Sequence, residues 1–188
     1  MAPHEPIAAL VCTGGGAIGA YQVGVLKYIH QHFCRGERSP FQIFSGISCG
    51  SISAGFLACH SHRARGAVLE LERLWRAFHV PEYQRATAGS ILRGLLRSKR
   101  QLSLLDPRPM QGVIQAGFSA QGLKAAYAAG TTLGVGVAAT EVVSGYGVWF
   151  VDGPRANEWD RFHSVAKREC LGVKHIEASC SIPFFLPP

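Results

Sequence analysis

The sequence predicts a single α/β domain over residues 1–188, with a parallel sheet covered by helices on both faces. Three observations carry that expectation. Short apolar runs alternate with longer segments of helical period. The first two apolar runs each end in a glycine-rich turn that leads straight into a helix. The composition, 47% hydrophobic and 16% charged, suits one sizeable buried core and excludes a disordered or fibrous chain.

Residues 7–13 form a short apolar run that stops at Gly14-Gly15-Gly16, as a buried strand does. Over 17–33 the helical period places Tyr21, Val25, Tyr28, Ile29 and Phe33 on one face, and Gly36 and Pro40 then break the chain. A second apolar strand is expected over 41–45. It enters Gly46-Ile47-Ser48-Cys49-Gly50, and the helix that follows carries Ile52, Phe56 and Leu57. A third helix is expected over 66–78, with Val68, Leu71, Trp75 and Phe78 on one stripe and a Glu72–Arg76 pair on its wet side. Pro107 opens a short helix running to Ile114. Strands over 132–143 and 146–151 flank the turn Ser144-Gly145, and a last short helix covers 175–181.

Composition also narrows the function. No apolar run reaches the roughly 18 residues a membrane-spanning helix needs, and the first six residues hold no basic leader. A cytoplasmic protein is expected, with peripheral contact to membranes left open. The six cysteines form no C-x-x-C pair, so reduced buried thiols are expected rather than a metal site. The net charge is +7, and Arg85, Arg93, Arg97, Lys99 and Arg100 interleave with leucines. Such a segment can rest on an anionic lipid surface, or equally form a solvated flank over the core. Nucleic acid is not an expected partner, since no basic run alternates with stacking aromatics.

Gly14-Gly15-Gly16-Ala17-Ile18-Gly19 satisfies G-x-G-x-x-G between a strand and a helix. Its N–H groups and the following helix terminus attract negative charge, as in a dinucleotide site. That site also needs an acid at the end of the second strand, where this chain has Ser45-Gly46. A nicotinamide-dependent oxidoreductase is disfavoured on that ground. The second strand end carries G-x-S-x-G instead, formed by Gly46, Ser48 and Gly50. In a nucleophile elbow this pattern lifts a serine hydroxyl from a sharp strand-to-helix turn, which a Cβ two residues to either side would crowd. Consecutive strands of a doubly wound sheet usually lie side by side, so the N–H groups of Gly14, Gly15 and Gly16 are expected beside Ser48. A nucleophile with donors aimed at a developing oxyanion is the minimal equipment for acyl transfer. An ordinary α/β-hydrolase is disfavoured, because only one βα unit precedes the elbow.

Residues 14–26, Gly-Gly-Gly-Ala-Ile-Gly-Ala-Tyr-Gln-Val-Gly-Val-Leu, resemble the oxyanion motif of patatin-like phospholipases. Residues 46–55 resemble that family's nucleophile segment, and 177–188 the stretch before its catalytic aspartate. The resemblance implies a three-layer α/β/α fold with a mainly parallel sheet. It further implies a Ser–Asp dyad without histidine and hydrolysis of fatty acyl esters in phospholipids or neutral lipids. No metal or organic cofactor is implied. Ser48 takes the nucleophile's place, Gly14, Gly15 and Gly16 the oxyanion hole, Gly46 and Gly50 the elbow, and Gly19 the last glycine of the oxyanion motif. Ile18 departs from the pattern, standing where many members carry a basic residue.

The chain has three aspartates, Asp106, Asp152 and Asp160. Asp106 precedes a proline as a helix cap does, and Asp152-Gly153 reads as a turn, though it imitates the family's Asp-Gly motif. The resemblance implies a partner aspartate in an Asp-Gly turn shortly after the Pro-Pro segment, so it is expected beyond residue 188, and the chain is expected to be the N-terminal part of a longer domain. A catalytically incomplete domain that binds lipid or a protein partner is the alternative.

Overall fold

The structure, a computed structural model, describes residues 6–34, 36–77 and 108–182. The fold is α/β. Strand β1 (Ala9–Cys12) leads into helix α1 (Ile18–His32), and β2 (Ile43–Ile47) into α2 (Cys49–Cys59) and α3 (Ala64–Ala77). Then come α4 (Arg108–Gly117), α5 (Ala120–Ala128), β3 (Gly134–Thr140), β4 (Gly147–Asp152), β5 (Trp159–Arg161), β6 (Ser164–Arg168) and α6 (Val173–Cys180). The basic segment around residues 85–100, Asp106 and the prolines of the tail lie outside the described residues.

The six strands form one mixed sheet in the order β1-β2-β3-β4-β6-β5. β1 with β2, β2 with β3, and β4 with β6 are parallel, so parallel pairing predominates. The β3–β4 and β5–β6 pairs are antiparallel. Cys12 pairs with Gly46, so the turns after β1 and β2 leave the sheet side by side.

One sheet face carries Cys12, Phe44, Val135 and Val137, all buried, and the helices pack on it. Every residue of α2 is buried. It lies against β1, β2 and β3 on one side and α3, α5 and α6 on others, an enclosure its many Gly, Ala and Ser residues allow. Leu71, Ile114, Leu123 and Ile176 fill the space around it. The alternate residues point the other way, and there Val11 is 68% and Ile47 43% exposed.

Several expectations need correction. Tyr21, Val25 and Tyr28 of α1 and Phe33 just after it are exposed, Ile29 is half-buried, and the buried face is Gly19, Val23, Leu26 and His30. The aromatic periodicity is real, but α3 packs on the neighbouring stripe, where Gly19 lets the Trp75 ring approach. A Cβ at Gly19 would overlap that ring, which donates its Nε1–H to Ser53 Oγ at 3.1 Å. β2 begins two residues later than expected and extends through Gly46 to Ile47. The final helix begins at Val173. Helix α5 and the β5–β6 pair were not foreseen. β5 has three residues, two of them charged, and the turn to β6 includes His163 at φ 62°. In helix α3 Val68, Leu71 and Trp75 of the expected stripe are buried, Phe78 lies outside the described residues, and the Glu72–Arg76 ion pair spans 2.9 Å.

Candidate active site

Ser48 stands at the junction of β2 and α2 with φ 54° and ψ −130°. A non-glycine residue in that region is strained and persists only where its surroundings dictate it. Here the surroundings are explicit. The Ser48 N–H donates to Ser179 Oγ at 2.8 Å. The Ser48 carbonyl accepts both the Ser51 N–H (2.8 Å) and the Ser51 hydroxyl (2.6 Å). Ser179 Oγ in turn donates to the Ala138 carbonyl on β3 at 2.5 Å. The serine backbone is thus held from α2 on one side and from α6 and β3 on the other.

Both glycines of the turn are sterically required. A Cβ on Gly46 would run into the carbonyl of Gly50, and a Cβ on Gly50 into the carbonyl of Cys12, with Thr13 O at 2.6 Å. The second collision also shows how closely α2 begins beneath the end of β1. The loop after β1 therefore lies next to Ser48, and a Cβ on Gly14 would stand 3.3 Å from the Ser48 Cβ. Gly15 and Gly16 have φ of 138° and 56°. They turn the chain into α1, where the Ile18 and Gly19 N–H groups bond back to Gly15 O and Gly16 O. Gln22, one turn into α1, donates Nε2–H to Thr13 O (2.9 Å) and Oγ1 (2.8 Å) and ties the loop to its helix.

The electrostatics of the loop show in the residue after Ser48. Burial raises the pKa of the Cys49 thiol, while backbone N–H groups of Gly16, Gly19, Gly50 and Gly15 pull it down. Burial outweighs them, so the Cys49 thiol stays above its ordinary range. Cys12 and Cys180 are buried nearby, and burial pushes each thiol up to about 12, so both stay neutral at ordinary pH.

The structure brings together Gly14, Gly15, Gly16, Gly46, Ser48 and Gly50. It assigns Gly19 to helix packing beneath Trp75. It separates the two described aspartates from the serine. Asp152 pairs with Val135, which pairs with Phe44, four residues before Ser48. That places Asp152 about 13 Å away along the strand direction alone, at the other end of the sheet. There it accepts the Leu171 N–H at 2.9 Å. Asp160 lies on β5, four strands across from β2, or about 19 Å. His175 accepts the Gly172 N–H and contacts Glu169, which marks it as a helix-start residue. Among the described residues no group of three His, Cys, Asp or Glu side chains is placed to hold a metal, and no helix is long and apolar enough to cross a membrane.

Ser179 is the contributor that sequence reasoning missed. Its motif context, Glu177-Ala-Ser-Cys-Ser-Ile, resembles only the stretch before the family's aspartate. Nothing local signals that a serine 131 residues away along the chain receives the Ser48 N–H. Ser179→Ala leaves that N–H and the Ala138 carbonyl without their partner, an expected loss of about 1–3 kcal/mol. Thermal denaturation should show a midpoint lowered by roughly 2–10 °C.

No curated protein and no solved structure matches the chain. The family model for patatin-like phospholipase matches residues 10–188, from within β1 through both glycine turns to the end of the chain. With the match running over nearly the whole sequence, the chain belongs to the patatin-like phospholipase family, a family of lipid acyl hydrolases.

Proposed function

We propose that this chain supplies the nucleophile and oxyanion hole of a serine lipid acyl hydrolase of the phospholipase A or esterase type. The observation that carries this function is the positive φ of Ser48 beside the glycine loop, where a Cβ on Gly14 would stand 3.3 Å from the Ser48 Cβ. Ser48 Oγ attacks the carbonyl carbon of a fatty acyl ester. The N–H groups of Gly14, Gly15 and Gly16 stabilise the oxyanion as it forms. The tetrahedral intermediate collapses, the alcohol leaves with a proton, and an acyl-Ser48 ester remains. Water then attacks that ester and releases the fatty acid and free serine. The dipole of α2, whose first turn follows Ser48, adds positive potential at the same point.

The Ser48 proton needs an acceptor. Asp152 and Asp160 are too distant, and Ser48 Oγ has no described side-chain partner. We assign the base to an aspartate in sequence beyond residue 188, acting with Ser48 as a dyad. No step calls for a metal or organic cofactor.

The test is release of fatty acid from phospholipid–detergent mixed micelles by the natural full-length polypeptide. Turnover is expected with fatty acid and lysophospholipid as products. Vesicle binding with no acyl release would favour a lipid-binding domain without catalysis.

A further inference from the structure

The last turn of α6 reaches both polar groups of the Ser48 backbone. Ser179 Oγ accepts the Ser48 N–H at 2.8 Å. The next residue, Cys180, sets its thiol 3.9 Å from Ser51 Oγ, and that hydroxyl donates to the Ser48 carbonyl at 2.6 Å. One hydroxyl of α6 therefore holds the N–H directly, and the neighbouring thiol packs on the group that holds the carbonyl. Ile47 and Ala138 are the last paired residues of β2 and β3. Just past that pair, Ser179 Oγ donates to the Ala138 carbonyl at 2.5 Å while it accepts the Ser48 N–H. The hydroxyl stands as a wedge between the two strands, where β2 leaves the sheet and turns into α2.

A hydroxyl that accepts from one strand and donates to the other fixes the orientation of the peptide unit between Ile47 and Ser48. That unit leads into a residue at φ 54° and ψ −130°, a conformation that persists only while its restraints do. Any rotation there swings the Ser48 side chain away from the glycine loop. A misplacement of about 1 Å at a reacting atom can lower a rate on the order of a hundredfold. We propose that Ser179 is a positioning residue for acyl transfer: its hydroxyl holds the Ser48 backbone so that Oγ meets the acyl carbonyl carbon beside Gly14, Gly15 and Gly16. It acts through Ser48 and touches no reacting atom. The proposal rests on the acyl hydrolase function proposed above and adds to it a residue 131 positions along the chain from the nucleophile.

Thr132 supplies the control that separates positioning from stability. Its buried hydroxyl donates to the Ala58 carbonyl at 2.9 Å, ten residues and about 15 Å along α2 from Ser48. Thr132→Val removes a hydroxyl bond of the same kind, so its melting midpoint should fall about as far as that of Ser179→Ala. Two rates are compared in the natural polypeptide, at a temperature where circular dichroism shows every variant folded: kcat/KM for a chromogenic ester, and labelling of Ser48 by a fluorophosphonate. Both report attack by Ser48 Oγ. Ser179→Ala should lower both at least tenfold, while Ser179→Thr, which keeps the hydroxyl, and Thr132→Val should stay within about threefold of the unaltered protein. Should Ser179→Ala not fold, Ser179→Cys takes its place, since a thiol keeps the shape and bonds only weakly; the same tenfold loss is expected. Rates in Ser179→Ala no lower than in Thr132→Val, or a Ser179→Thr variant as slow as Ser179→Ala, would overturn this proposal alone. An unaltered protein that neither turns over ester nor takes label would overturn it together with the hydrolase function.

Discussion

Gly50→Ala is expected to unfold the protein or destabilise it by more than about 4 kcal/mol, a size reserved for clashes the structure cannot relax. The added Cβ would overlap the Cys12 carbonyl and stand 2.6 Å from Thr13 O. Neither atom is the free end of a side chain. Cys12 is fixed in β1 by pairing with Gly46, and Gly50 is fixed in α2 between the sheet and the surrounding helices. Relief requires parting β1 from α2, which would also carry the glycine loop away from Ser48. Circular dichroism on heating should show the midpoint lowered by roughly 10 °C or more, if a transition remains. Gly24 offers the internal contrast. It is exposed within α1, and a Cβ there meets nothing within 4 Å. Gly24→Ala should raise stability by about 0.4–1 kcal/mol through the lower entropy of the unfolded chain and the better helix propensity of alanine.

Ser48→Ala should lower ester turnover by at least about a thousandfold, the scale seen when a covalent nucleophile is removed and only oxyanion donors and binding remain. The fold should survive it. The bonds that hold the elbow use the Ser48 N–H and carbonyl, which alanine retains, and the hydroxyl makes no described hydrogen bond. The strain at φ 54° falls equally on alanine. Turnover of a chromogenic short-chain ester, beside a far-ultraviolet spectrum of each protein, separates loss of chemistry from loss of structure. Unchanged turnover would remove Ser48 from the mechanism.

These two variants also mark where the sequence was informative. Gly46, Ser48 and Gly50 were legible because the constraint is local: a strand, a sharp turn and a helix leave no room for side chains at two fixed spacings. The neighbourhood of Gly14 and Ser48 was legible because consecutive parallel strands usually adjoin. Periodicity gave α3 correctly, since its apolar stripe is the only one it has. It misassigned α1, which carries an aromatic stripe and a narrower buried one, and only the packing of Trp75 on Gly19 decides between them. The two charged positions in β5 and the glycine-poor turn at His163 gave no strand signal. Ser179 was invisible for a further reason. Its role depends on α6 returning to β3 over more than a hundred residues, and no local pattern encodes that return.

The central claim is that Ser48 is a nucleophile poised beside an oxyanion loop, and the most direct measurement is where an active-site phosphonate attaches. Incubation of the natural polypeptide with a long-chain fluorophosphonate, followed by peptide mass spectrometry, should find one adduct, on the peptide holding Ser48. Ser48→Ala should carry none. An unlabelled Ser48 with the folded protein otherwise intact, or an adduct on a different serine that persists in Ser48→Ala, would contradict the account.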